Sequence, residues 1–236
     1  MLQFCGISAR AAGKLSVLNL EPSKRYYLMV TAQESLKRLQ EGNRRFVQSL
    51  QDGSESSINP RRNELVAEQS PSAIILGCSD ARVPAEIVFD QGLGDLFVIR
   101  VAGNIVAPSQ IGSVEFAAEM FGTRLVVVLG HSNCGAIQAT IESMRSGEPL
   151  HSHNLPSIVD RIRPFVETLA ETDLKNDPEA LVRYAVRANI RGAVNNLKQG
   201  SRILERLVQQ DGLMVIGAEY SLETGEVKFL DLPQVD

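Results

Sequence analysis

The sequence predicts an α/β fold with three layers: a mostly parallel central sheet, helices on both of its faces, and an N-terminal helical arm. Three observations carry that prediction. Four short, continuous apolar runs, at 73–77, 96–101, 125–130 and 213–218, suit strands buried on both faces. Helical patterns stand between and after them, at 84–90, 110–121, 136–145, 158–171, 178–198 and 201–210. Thr224-Gly225 then marks a turn into an edge strand at 227–230. Regular alternation of strand and helix is the signature of a layered α/β domain.

Each element has a local reason. Residues 1–20 contain no Asp or Glu but carry Arg10 and Lys14. Acid-poor, basic composition would suit a targeting segment, but no secretory pattern is present and a loosely tied terminus is the simpler reading. Met29 as the natural start is a third reading. Residues 1–30 are therefore set apart as an extension, and 31–236 as one domain. Thr31-Ala-Gln-Glu34 is a capping box, in which a hydroxyl and a carboxylate satisfy free N–H groups reciprocally. Leu36, Leu39, Phe46 and Val47 mark the apolar face of the helix that follows. Residues 51–72 are polar, contain Pro60 and Pro71, and read as a loop. Arg183, Arg187 and Arg191 recur every four residues on one helix, as a solvated or subunit-facing stripe.

Composition narrows the function. A chain of 236 residues fits one domain with an extension and holds a core without staples. A net charge of −4 excludes a dedicated nucleic-acid binder, whose phosphate contacts need a basic face. No apolar run approaches the ~20 residues of a membrane span. A cytoplasmic location is expected, with organelle targeting by residues 1–28 as the alternative. Three cysteines, at 5, 78 and 134, are too few and too scattered for a disulfide framework.

Two segments concentrate chemistry. Gly77-Cys78-Ser79-Asp80-Ala81-Arg82-Val83-Pro84 and Gly130-His131-Ser132-Asn133-Cys134-Gly135 each follow a strand and lead into a helix. In open α/β sheets, ligands bind outside the carboxyl ends of strands where strand order reverses. A lone Cys is usually core filler. Two Cys and one His at two strand ends make a Cys2His set, a catalytic zinc pattern when a fourth position stays open. Cys5 lacks such surroundings and reads as a free thiol. Thioredoxin-like work needs Cys-x-x-Cys, which is absent. A Cys–His hydrolase pair would leave Cys78 and Asp80 without a role. No Gly-x-Gly-x-x-Gly fingerprint follows a strand, which argues against a nucleotide-dependent zinc dehydrogenase.

Cys78-Ser-Asp80-Ala-Arg82, followed by His131-Ser-Asn-Cys134-Gly135, resembles the β-class carbonic anhydrases. The resemblance covers roughly residues 30–230 and includes Glu41-Gly-Asn-Arg-Arg-Phe46, Arg100-Val-Ala-Gly-Asn104 and Gly217-Ala-Glu-Tyr220. It implies reversible hydration of CO2 to bicarbonate and a proton by a zinc-bound hydroxide. Zinc is implied on Cys78, His131 and Cys134, with Asp80 and Arg82 as a dyad that orients the nucleophile. If Arg82 releases Asp80, the carboxylate becomes a fourth ligand in a closed state. The resemblance also implies a strand order of 2-1-3-4 plus an edge strand, and a homodimer or a dimer-based tetramer. Gln69 and Phe97 match substrate-pocket positions of the plant-like branch: an amide for bicarbonate and an apolar wall for CO2, with Val83 beside them. Gly135 opens a helix, where free N–H groups favour an anion. Two thiolates and an imidazole cancel the charge of the ion, so a more alkaline activity profile is expected than for a three-histidine site. Two rivals share the residues: hydrolysis of CS2 or carbonyl sulfide, and a structural zinc closed by Asp80. His151 and His153 flank Ser152 as candidate proton shuttles.

Two positions depart from the pattern. Phe116 stands where many relatives carry tyrosine, and so lacks its hydroxyl. Ile75 stands where the branch inhibited allosterically by bicarbonate carries tryptophan, and the chain contains no tryptophan at all. Bicarbonate is therefore expected to inhibit without cooperativity in steady-state assays; slow, cooperative inhibition would contradict this.

Overall fold

The computed structural model describes residues 30–52, 69–147 and 152–232. The extension at 1–28 and His151 lie outside them. Five strands form one sheet: β1 (Ala73–Gly77), β2 (Leu96–Arg100), β3 (Leu125–His131), β4 (Met214–Tyr220) and β5 (Val227–Leu230). Their order is β2-β1-β3-β4-β5. Strands β2, β1, β3 and β4 run parallel, and β5 returns antiparallel to β4. The predicted order holds, and the expected reversal falls between β1 and β3.

Alternation along the strands sorts the core onto two faces. Ile74 and Leu76 of β1 join Val126 and Val128 of β3 on one face. There they pack against α3 (Pro108–Met120), α4 (Gly135–Ser146), α5 (Pro156–Ala170), α6 (Pro178–Gln199) and α7 (Arg202–Gln210). Ala73, Ile75, Leu125, Val127 and Leu129 point the other way, toward α1 (Ala32–Asp52) and α2 (Ala85–Val88). Strands covered on both sides must be apolar throughout, which is why β1 and β3 read as uninterrupted runs. Ile75 is wholly buried in this second layer.

Three expectations need adjustment. The β2 run suggested burial on both faces, yet only Leu96 is buried and Arg100 is exposed. The strand lies at the sheet edge, where one flank has no neighbour. The helix expected at 84–90 shrinks to α2, a single turn that Phe89 closes. On α1 the capping box forms, with Glu34 N–H donating to Thr31 Oγ1 (3.2 Å) and Thr31 N–H to Glu34 Oε2 (3.0 Å). Leu36, Leu39 and Phe46 pack into the core as expected, whereas Val47 does not join them, and the buried positions are Ala32, Ser35, Leu39, Gly42 and Asn43. Small residues there let the helix approach α2 closely: a Cβ at position 42 would collide with the Phe89 carbonyl.

Polar ties complete the outer layers. Asn43 donates from Nδ2 to the carbonyls of Val88 (3.0 Å) and Gly225 (2.9 Å), and accepts from Val227 N–H (2.9 Å). One side chain thereby joins α1, α2 and the start of β5. Of the arginine stripe, Arg183 is exposed, whereas Arg187 pairs with Glu219 and Arg191 with Asp231, both at 2.7 Å. Among the described residues, no helix is long and apolar enough to cross a membrane.

Asn43→Ala would strip two buried backbone carbonyls and one part-buried N–H of their partner, each worth ~1–3 kcal/mol when left unsatisfied in a buried setting. Urea unfolding should show a loss of about 2–4 kcal/mol, since water regains part of the exposed set. A loss below about 0.5 kcal/mol would contradict the tie.

Candidate metal centre

Cys78 is the first residue past β1, and His131 the last residue of β3. Register pairing sets Gly77 beside Leu129, so the two strand ends lie side by side. Cys134 follows after a two-residue turn and occupies the N-cap position of α4. Asn133 in that turn has a φ of 55°, a left-handed backbone that Asn tolerates better than most side chains. The ligand atoms of Cys78, His131 and Cys134 all lie within 4.8 Å of one another, and all three residues are buried.

The imidazole is set for coordination. Its Nδ1 lies 2.9 Å from the Ser132 carbonyl, which fixes that nitrogen as the N–H donor. Nε2 then carries the lone pair. It is fully buried and finds no hydrogen-bond partner among the described residues. A buried polar atom without a partner calls for an explanation, and a cation between it and two sulfurs supplies one. Two thiols and one imidazole are the donor set that zinc prefers. The residues therefore fit the implied metal.

Electrostatics divide the two thiols. The hydrogen bond from Cys134, aided by His131 and the Gly103 N–H, pushes Cys78 down to about 4 in spite of burial. The same contact, with burial, pushes Cys134 up. The Gly103 N–H lies 3.3 Å from Cys78 Sγ. Gly103 has a φ of 68°, and a Cβ there would lie 2.7 Å from Ile162 Cδ1, so only glycine brings its amide this close. Burial pulls His131 down, but the neighbouring Cys78 and the Ser132 carbonyl outweigh it, and the ring is shifted up. A metal bound at Nε2 would hold the ring neutral, because ligands bind deprotonated.

Asp80 stands next to the set, with Oδ2 3.8 Å from His131 Nε2. Arg82 grips it with both prongs: Nε to Oδ1 at 2.8 Å and Nη2 to Oδ2 at 2.7 Å. The Arg82 N–H adds a third bond to Oδ1 at 3.0 Å. The Arg82 guanidinium holds the Asp80 carboxyl well below the usual carboxylate range, against some desolvation. Asp80 is not among the clustered ligands.

The remaining predicted residues take varied places. Val83 is buried and its N–H donates to the Asp80 carbonyl (3.0 Å). Gly135 is the exposed first residue of α4. Phe97 is half-buried, with its ring centroid 6.3 Å from that of Phe116 and 5.9 Å from that of Phe121. Gln69 is exposed ahead of β1. His153 is exposed as well. One brace carried no role in the sequence reading: Arg100 donates to the carbonyls of Cys78 (3.0 Å) and Asp80 (2.5 Å). Its signal was its place at the end of β2, paired in register with Gly77.

Comparison with known proteins agrees with this geometry. The family model described as carbonic anhydrase matches residues 73–227. The chain belongs to the β-class carbonic anhydrase family. It is 35% identical to "Carbonic anhydrase 2" of Mycobacterium tuberculosis over 83% of this chain and 91% of that protein. It is 34% identical to "Carbonic anhydrase" of Mycolicibacterium smegmatis over 81% of this chain and 90% of that protein. Among solved structures, the β-carbonic anhydrase CcaA superposes with a TM-score of 0.63 at 27% identity, over 85% of this chain and 92% of its own. A tetrameric β-carbonic anhydrase of Sordaria macrospora shares the fold, with a TM-score of 0.66 at 22% identity, over 80% of this chain and 95% of its own.

The Asp80–Arg82 pair makes a signed prediction. A carboxyl held below its ordinary value adds stability above its unfolded pKa, near 3.9, and that stability is lost as pH falls toward the folded value. The parent should therefore resist urea better than Arg82→Ala at pH 7, by a small margin because Arg82 is largely exposed. The gap should narrow below about pH 4. A gap that widens on acidification would contradict the pairing.

Proposed function

We propose that this chain catalyses the reversible hydration of carbon dioxide to bicarbonate and a proton, using zinc held by Cys78, His131 and Cys134. The observation that carries the reading is the partnerless, buried Nε2 of His131 facing two thiols, beside a carboxylate locked to Arg82. Family membership supports the activity. Bound zinc supplies a hydroxide nucleophile near neutral pH by acidifying its water.

The chain's own groups do the rest. Asp80 stays ionised at every working pH, so it acts as a hydrogen-bond acceptor that orients the nucleophile toward the carbon of CO2. Arg82 occupies both carboxylate oxygens and so keeps Asp80 out of the ligand set; release by Arg82 would let it close the site. Val83 and Phe97 supply apolar surface for CO2, and Gln69 an amide for bicarbonate. The helix start at Gly135 favours the anionic product. This assignment of pocket residues rests on their match to the family pattern. Residues 31–236 form the catalytic domain, with 1–30 as an extension. Two thiols that must stay reduced suit a cytoplasmic setting. The chain is read as a homodimer or dimer-based tetramer, a reading supported by the exposed Phe116 and Met120 of α3, which packs against the edge strand β2.

Stopped-flow CO2 hydration beside metal analysis tests the reading. About one zinc per chain is expected, with rates still climbing between pH 6 and about 8. Asp80→Asn should keep the zinc and lose ~10²-fold or more in kcat/KM. A zinc-loaded chain with no hydration at any pH up to about 9 would overturn the proposal.

A further inference from the structure

The turn between His131 and Cys134 is held from outside by one carboxylate. Ser132 donates from Oγ to Glu223 Oε2 (2.8 Å), and Asn133 donates from Nδ2 to Glu223 Oε1 (2.9 Å). Ser221 adds a donor to Oε2 (3.1 Å). The backbone interlocks as well: Ser132 N–H donates to the Tyr220 carbonyl (2.9 Å), and Leu222 N–H to Ser132 Oγ (3.0 Å). Each of the two residues lying between the metal ligands thus gives its side-chain donor to Glu223.

We propose that Glu223 is a positioning residue for the metal centre: a latch that fixes the Ser132–Asn133 turn, and through it the separation and aim of His131 and Cys134. The inference rests on the zinc assignment of the preceding subsection. Its physical basis is the backbone of the turn. Asn133 is left-handed, a conformation that disfavours side chains other than Asn, Asp and Gly. A carboxylate gripping its amide keeps it there. Ser132 supplies the carbonyl that orients the His131 ring, so any tilt of this residue turns Nε2 away from the two sulfurs. Charge-assisted bonds are stronger than neutral ones, and the latch presents two of them to a turn of two residues.

The latch is open to solvent. Ser132, Asn133 and Glu223 line a cavity of about 780 Å³, which also contains Glu226. Glu226 lies on the same wall, and among the described residues its carboxylate makes no hydrogen bond to Ser132 or Asn133, which makes it a control.

The experiment is release of zinc to a chromogenic chelator from the loaded full chain, with cobalt-substituted protein read by its d–d spectrum. Partners of metal ligands commonly change metal affinity by ~10–100-fold. Glu223→Ala is expected to release zinc about tenfold faster or more and to shift the cobalt bands. Glu223→Gln, which keeps the shape but replaces one acceptor, should fall between it and the parent. Glu226→Gln should match the parent. Ser132→Ala keeps Glu223 and its bonds to Asn133 and Ser221, removes only the Ser132 side of the latch and the acceptor of the Leu222 N–H, and should also speed release, which keeps the test decisive if Glu223→Ala folds poorly. Release from Glu223→Ala and Ser132→Ala within about twofold of the parent, with unshifted cobalt bands, would overturn the latch alone. Equal acceleration in Glu226→Gln would do the same. A parent chain that holds no zinc would overturn the metal assignment and the latch with it.

Discussion

The parallel, in-register pairing of β1 with β3 is the constraint on which the site depends. Gly77 pairs beside Leu129, and the chain then leaves each strand within two residues: into Cys78 on one side, through His131 to Cys134 on the other. A shift of one residue in either strand would turn every side chain to the opposite face. Both strands are wholly buried, and Ile74 and Leu76 are sorted to one layer while Ala73 and Ile75 go to the other. Burial therefore fixes the register, and the register fixes the distance between ligands far apart in sequence. The reversal of strand order at this pair opens the crevice in which the three side chains meet.

The second layer of the account is charge. Two thiols, an imidazole and a carboxylate share a small, dry space, where uncompensated charge is costly. The protein meets this with a few directed groups. Arg82 neutralises Asp80 from the exposed side, and the Gly103 amide points at Cys78. The contact between the two thiols pushes Cys78 down and Cys134 up. Two thiolates side by side call for a cation between them, and ligands bind a metal deprotonated. Arg100 contributes differently, by holding the carbonyls of Cys78 and Asp80 and so the shape of the loop that carries both.

Much of this was legible in the sequence, and for identifiable reasons. Strands β1 and β5 fall where the apolar run and the turn signal put them, because a doubly covered strand and a Thr-Gly turn each leave a local mark. The clustering of Cys78, His131 and Cys134 was legible because their uncommon residue types stand at two strand ends. What escaped depends on contacts between distant segments. Beside the expected Leu36, Leu39 and Phe46, the buried stripe of α1 takes in Gly42 and Asn43, because α1 presses close to α2 and β5. Edge placement lowered the burial of β2, and no property of residues 96–100 alone foretells an edge. Glu223 stands next to a recognised turn signal, yet its bonds to Ser132 and Asn133 depend on the pairing of β3 with β4, which sets Tyr220 beside His131.

The central claim is that Cys78, His131 and Cys134 together hold one zinc with a position left for chemistry. X-ray absorption at the zinc edge on the purified chain tests it most directly. The account predicts two sulfur neighbours at ~2.3 Å, one imidazole nitrogen at ~2.0–2.1 Å and one further light atom. It also predicts that the light-atom shell is kept in Asp80→Asn, since Arg82 already holds that carboxylate away. A spectrum with four protein ligands including Asp80, or a sulfur count other than two, would contradict it.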